Sequence, residues 1–137
     1  ERLVGWKKTM LKAKLKTDLC FEGNWSASSG YFMAQEIVAK DRKVSAIYAA
    51  SDLIALGVLK FLNDRRLKDI SVISTDAMEE SEFYFPSLTT IKYDYEELGR
   101  RYFHLLLNAI AKKPLSTYTN SFRVELSIRD STRKYKG

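Results

Sequence analysis

Residues 44–63 read VSAIYAASDLIALGVLKFLN, and this stretch decides the fold. Residues 44–50 form a short, mostly apolar run with Val44 and Ile47, which suits a buried strand. Ser51 and Asp52 follow at once. Both are good helix N-caps, because a short side-chain oxygen reaches the free backbone N–H groups of a first turn. Residues 53–63 then carry apolar side chains on nearly every side, which predicts a helix packed tightly against a sheet. Gly57 inside that helix costs about 1 kcal/mol relative to alanine, so close backbone packing is its expected reason.

Outward from this unit the same alternation continues. Residues 70–74 are the next strand, ending at Thr75-Asp76, and residues 77–87 are an irregular loop with Glu79, Glu80, Glu82 and Pro86. Residues 88–92 are extended. Asp94 and Glu97 then make a capping box with aspartate in the Ser/Thr place. Leu98, Tyr102, Leu105, Leu106, Ala109 and Ile110 recur at helical spacing up to about Lys112, and Pro114 follows the end. Phe122, Val124, Leu126 and Ile128 alternate with polar residues as in a half-exposed strand. On the N-terminal side, Gly23-Asn24 opens a turn and Ser26 or Ser28 caps a helix through about Lys40. Residues 2–16 predict a helix with Leu3, Trp6, Met10 and Leu11 on one broad side and lysines on the other. Helices alternating with short buried strands mean an α/β domain, a mainly parallel sheet flanked by helices.

Composition bounds the function. A chain of 137 residues, 45% hydrophobic and 29% charged, is one ordinary globular domain and not a disordered segment. No apolar run approaches the ~18 residues of a membrane span, and the first residues lack a signal-peptide layout. A cytoplasmic protein with no membrane partner is the expectation. Cys20 is the only cysteine, which excludes a disulfide framework and a cysteine-based zinc cluster. It is expected to be a small buried or edge residue without chemistry. Phosphate-loop, dinucleotide-binding, nucleophile-elbow and zinc-protease motifs are all missing, so no catalytic residue, metal or cofactor is expected. The net charge of +6 invites a nucleic-acid reading. Lys7, Lys8, Lys12, Lys14 and Lys16 nevertheless lack interleaved aromatics, and a solvated basic face explains them as well.

In open α/β sheets, ligands bind outside the carboxyl ends of the strands. Asp52 and Asp76 lie at two such ends. A carboxylate accepts paired O–H donors from neighbouring hydroxyls, which is what a sugar or another polyol presents. Asp52 reads equally well as a cap; Asp76 has no helix clearly after it, and the ligand reading leads there. Trp25, Tyr93 and Tyr95 occupy turn or strand-end positions where an aromatic face packs on a sugar ring, although lone aromatics are more often core.

A more specific pattern runs through the whole chain. Arg2-Leu3-Val4-Gly5-Trp6, then Gly23-Asn24-Trp25-Ser26 with Ser29-Gly30-Tyr31, precede Ala50-Ser51-Asp52-Leu53-Ile54-Ala55-Leu56-Gly57. Asp69-Ile70-Ser71-Val72-Ile73 with Asp76 follows, then Pro86-Ser87-Leu88-Thr89-Thr90-Ile91, then Leu126, Arg129, Ser131 and Thr132. In this order and spacing the chain resembles the LacI/GalR family of transcriptional regulators. The resemblance implies the second lobe of a periplasmic-binding-protein-like fold, with residues 1–92 and 122–132 in the C-terminal lobe. Residues 94–120 would pack on a first lobe not contained in this sequence. It also implies a small sugar effector between the lobes, and operator DNA bound through an N-terminal head outside this chain. Effector contacts would fall on Arg2, Trp25, Ser51, Asp52, Asp76, Tyr93 and Tyr95. Arg2 and Asp76 would hydrogen-bond the effector, and Trp25 and Tyr95 would pack on it. A homodimer would form through residues 53–63 and 77–86, with Leu56, Phe83, Tyr84 and Phe85 in the interface. Two departures stand out: Ser74 replaces a usual glycine, and the turn before Ile70 is shortened to Lys68-Asp69. A periplasmic-type sugar-binding protein is the alternative, since the fold is shared, and an α/β enzyme is a distant third.

Overall fold

The computed structural model describes residues 2–113 and 123–134. Pro114 and Phe122, read above as a helix stop and a strand residue, lie outside the described residues, as does the end of the 94–120 segment. Four strands form one sheet in sequence order: β1 (Ala46–Tyr48), β2 (Ser71–Thr75), β3 (Thr89–Tyr93) and β4 (Val124–Ser127). β1 and β2 pair in parallel with Ile47 opposite Val72, and β2 and β3 in parallel with Ile73 opposite Thr89. β4 runs antiparallel to β3, with Leu126 opposite Ile91. The helices are α1 (Arg2–Lys12), α2 (Ala27–Lys40), α3 (Asp52–Asp64) and α4 (Tyr95–Ile110), and a 3-10 turn covers Glu79–Phe83.

The core sits between the sheet and the α2–α3 pair. α3 supplies Ile54, Val58, Leu59, Phe61 and Leu62; the sheet side adds Ile47, Val72 and Leu88. Gly57 finds its reason here. A Cβ on it would stand 1.7 Å from the Ala27 carbonyl oxygen, and one on Gly30 would stand 2.1 Å from that of Ile54. α2 and α3 therefore meet backbone to backbone, and only hydrogen fits at either position.

Caps follow the sequence at the N-termini. Ser26 Oγ accepts from Ser29 N–H, Ser51 Oγ from Ile54 N–H, and Asp94 Oδ1 from Glu97 N–H. The capping box is only half made, because the Glu97 carboxylate pairs with Arg100 and Arg101. The C-termini are less legible. α1 stops at Lys12, not near residue 16, because Lys14 takes a left-handed φ of 57°. Lys14 N–H then reaches Leu11 O and Leu15 N–H reaches Met10 O. Arg66 closes α3 and Lys112 closes α4 in the same way, with φ of 57° and 51°. This motif normally places glycine at the left-handed residue. A cation there gains from the negative helix end, which offsets part of the ~1–2 kcal/mol steric cost.

Two helices stand apart from the core. α4 buries no residue, and Phe103, Leu106 and Ile110 are exposed on it. α1 buries none either, although its apolar side suggested packing in the same lobe. β4 is more open than half-exposed, with Val124 and Leu126 both accessible, as is Ile128 just beyond its end. Cys20 is exposed, not buried. Among the described residues no helix is long and apolar enough to cross a membrane, and no cluster of three or more His, Cys, Asp or Glu is placed to hold a metal.

Candidate functional site

The carboxyl ends of β1, β2 and β3 open onto one edge of the sheet, and there the first helix returns to meet them. Arg2, at the start of α1, donates from Nη1 to the Ala50 carbonyl at 2.5 Å and from Nη2 to Asp76 Oδ1 at 3.0 Å. Asp76 leaves β2 by donating its N–H to the Ile91 carbonyl at 3.2 Å. It then adopts a φ of 131°, and Ala77 follows at 53°. Two consecutive non-glycine residues in the left-handed region cost energy, and such strain persists where neighbours over-determine it, often at binding sites. The Tyr95 hydroxyl donates to the Asp76 carbonyl at 2.8 Å, and the Tyr93 and Tyr95 rings lie 5.9 Å apart.

Electrostatics separate the partners of this ion pair. Burial raises the Asp76 pKa above the ordinary carboxylate value; the Arg2 charge opposes the shift without cancelling it, and nearby Asp52 adds to it. Burial works against the Arg2 charge too, but Asp76 and then Tyr93 outweigh it, so its pKa is raised. The Tyr95 hydroxyl is pushed up by burial and by the Asp76 charge. The result is a cationic donor fork and a carboxylate half-sheltered from water beside two phenol rings. Such groups have the chemistry to hydrogen-bond a small ligand with several hydroxyls.

Asp52 belongs to a different layer. It is 0% exposed, and both of its oxygens are taken by internal donors. Ser74 Oγ and Thr90 Oγ1 donate to Oδ1, the latter at 2.7 Å, and the Met78 N–H donates to Oδ2 at 2.7 Å. Asp52, expected as an effector contact, has its carboxylate engaged by these three donors. A buried carboxylate ties β2, β3 and the 77–78 turn to the first turn of α3, beside the site. Ser51 is also buried, its oxygen capping α3, while the carbonyl of its neighbour Ala50 holds Arg2. Ser74, a departure from the family's glycine, supplies one of the three donors to Asp52.

Trp25 is 57% exposed in the turn before α2 and has no hydrogen bond or ring contact among the described residues. Its φ of 66° is uncommon for so bulky a residue. Tyr48, by contrast, escaped the sequence reading. Its hydroxyl lies 2.8 Å from Thr75 Oγ1, at the end of β2 next to Asp76, so it belongs to the same edge of the sheet. A strand-end aromatic next to the Ala50-Ser51-Asp52 motif was the available signal. Tyr93 and Tyr95 also line an open groove along β3 and β4 with Lys92, Arg123 and Glu125. Arg2 and Asp76 do not contribute to that groove, and the convergence of polar groups favours the Arg2 side.

The expected contact surface divides as well. Phe83 and Phe85 are 82% and 88% exposed, and Leu56 lies on the outer face of α3 with Leu53. Tyr84 turns inward and packs against the core, since neighbouring residues of an extended segment point to opposite sides. Its hydroxyl pKa is raised by that burial and by Asp52. Tyr84 is thus partly buried, packed against the core on one side.

The chain matches the periplasmic binding protein-like domain family over residues 1–132. It is similar to the HTH-type transcriptional repressor PurR of Vibrio parahaemolyticus serotype O3:K6, at 31% identity over 98% of this chain and 42% of that protein. Among solved structures it is similar to the Lac repressor dimer bound to operator and the anti-inducer ONPF, at 32% identity and a TM-score of 0.82. That match covers 96% of this chain and 46% of the repressor. A complex of the transcriptional regulator CelR with cellobiose gives 26% identity and a TM-score of 0.81, over 96% of this chain and 42% of CelR. The chain spans less than half the length of each of these three proteins.

Proposed function

The chain belongs to the LacI/GalR family of transcriptional regulators, and from that membership we propose that it is the part of a cytoplasmic repressor that senses a small sugar-like effector. The observation that carries the proposal is the convergence of Arg2, Asp76 and Tyr95 at the carboxyl edge of the sheet. Arg2 and Asp76 hydrogen-bond the effector, Tyr93 and Tyr95 wall the site, and Trp25 closes on the ligand from the turn before α2. Asp52 and Ser51 hold the backbone of that site in place. The cellobiose carried by the related CelR supports a sugar over other polyhydroxylated ligands.

In this reading residues 94–120 pack on a first lobe, which accounts for the uncovered apolar side of α4. Operator DNA is bound by a separate N-terminal head, and two copies of the chain pair through α3 and the 77–86 loop. The matched proteins are transcription regulators, not enzymes, and the site accordingly binds without turnover. Calorimetric titration of the full-length regulator with a panel of mono- and disaccharides, cellobiose included, tests the proposal. Saturable binding of at least one, lost in Arg2→Met, is the expected result. No heat from any sugar, together with tight binding of a nucleobase or amino acid, would replace the effector class.

A further inference from the structure

After β4 the chain turns back across the amino ends of β2 and β3, and one side chain there reaches a loop 48 residues away. Arg129 Nη1 donates to Ser81 Oγ at 3.0 Å and to the Leu88 carbonyl at 3.0 Å, and Nη2 lies 3.8 Å from Glu82. Its own backbone is fixed: Arg129 N–H donates to Thr89 Oγ1 at 2.9 Å, and that hydroxyl returns a bond to the Arg129 carbonyl at 3.1 Å. Ser81 is fully buried, donates from Oγ to the Met78 carbonyl at 2.5 Å, and receives the Leu88 N–H at 3.0 Å. Ser81 and Leu88 are the entry and exit of the loop carrying Phe83 and Phe85. One guanidinium therefore pins both ends of the loop through Nη1, while its second nitrogen faces Glu82, a fixed spread of donors that lysine's flexible ammonium does not hold in place. Tyr84 packs partly against the core while its two neighbours stand in solvent.

We propose that Arg129 is a positioning residue for self-association, holding Phe83 and Phe85 as a preformed pair for a second copy of this chain. The proposal rests on the homodimer reading above. A loop ordered before contact loses less freedom on binding than a loose one, so the clamp strengthens the dimer without touching the partner. Neither Arg129 nor Ser81 belongs to the effector site.

The test is sedimentation equilibrium on the full-length regulator, wild type and three variants, with hydrogen exchange of β2 and β3 amides followed in parallel. Arg129→Met should raise the dimer dissociation constant by roughly tenfold or more. Arg129→Lys should fall between it and wild type, and Ser81→Ala should weaken the dimer less, because the Leu88 bond survives. Sheet amides should keep their protection in Arg129→Lys and Ser81→Ala, which carry the test should Arg129→Met fail to fold. A dimeric wild type whose dissociation constant is unchanged in these variants would overturn the clamp alone. A wild type that stays monomeric at tens of micromolar would overturn the dimer reading and the clamp with it.

Discussion

Arg2 and Asp76, 74 residues apart in the chain, meet at 3.0 Å and join the first turn of α1 to the end of β2. Because α1 buries nothing, this ion pair and the bond to the Ala50 carbonyl are what hold its start against the sheet. Removing the carboxylate should weaken effector binding. We expect Asp76→Ala to cost about 1.5–3 kcal/mol of effector affinity, the range for hydrogen bonds to a charged group. Calorimetry with the bound sugar measures it, and an unchanged affinity would take Asp76 out of the site.

The same residue carries a pH signature. Burial raises its folded pKa above the unfolded value of about 3.9, so protonation favours the folded state. Its stabilising contribution is complete below the unfolded value and is lost as pH rises through the folded one. At pH 7 the ionised group is thus a net burden on folding. Asp76→Asn should raise the melting temperature at neutral pH while weakening the effector, and the gain should vanish in acid. A lower melting temperature at pH 7 would mean that the pair with Arg2 outweighs burial.

Asp52 should behave in the opposite way. Asp52→Ala strands the Ser74 and Thr90 hydroxyls in the interior and frees the Met78 N–H nearer the surface. Each buried unsatisfied group costs about 1–3 kcal/mol, so we expect a loss of about 2 kcal/mol or more. Urea unfolding reads this directly. A variant within 1 kcal/mol of wild type, an order-of-magnitude threshold for a lone lost bond, would show that water replaces the carboxylate.

The aromatic loop separates association from stability. Phe83→Ser and Phe85→Ser should leave the melting temperature almost unchanged and weaken self-association, since both rings are in solvent in one copy. Tyr84→Asp should instead destabilise the fold, placing a charge against the core. Sedimentation and thermal melting on the three variants give opposite patterns if the assignment of faces holds.

The left-handed helix ends offer a stabilising change. Arg66→Gly and Lys14→Gly relieve a side chain at positive φ, and each should add about 0.5–1 kcal/mol. The gain is read from the urea midpoint. Loss of stability on both substitutions would mean that the cation's attraction to the helix end exceeds the strain.

Local chemistry was legible in the residues themselves. The β1–α3 unit, the caps at Ser26, Ser51 and Asp94, and Gly57 as a point of close approach each depend on neighbours within a few positions. Periodicity and short side chains report such features directly. The six motifs in register also carried the family. Tertiary structure decided the rest. The C-termini of α1, α3 and α4 end on lysine or arginine in a conformation that sequence assigns to glycine, and the limit of α1 was hidden for that reason. Whether Asp52 faces a ligand or three internal donors depends on where Ser74, Thr90 and Met78 arrive from 22 to 38 residues away. Tyr48 comes to the same edge of the sheet, and Tyr84 packs partly against the core, because of the direction each side chain takes from an extended backbone. A sequence names an aspartate or a tyrosine; only packing of distant segments fixes which of its faces meets water.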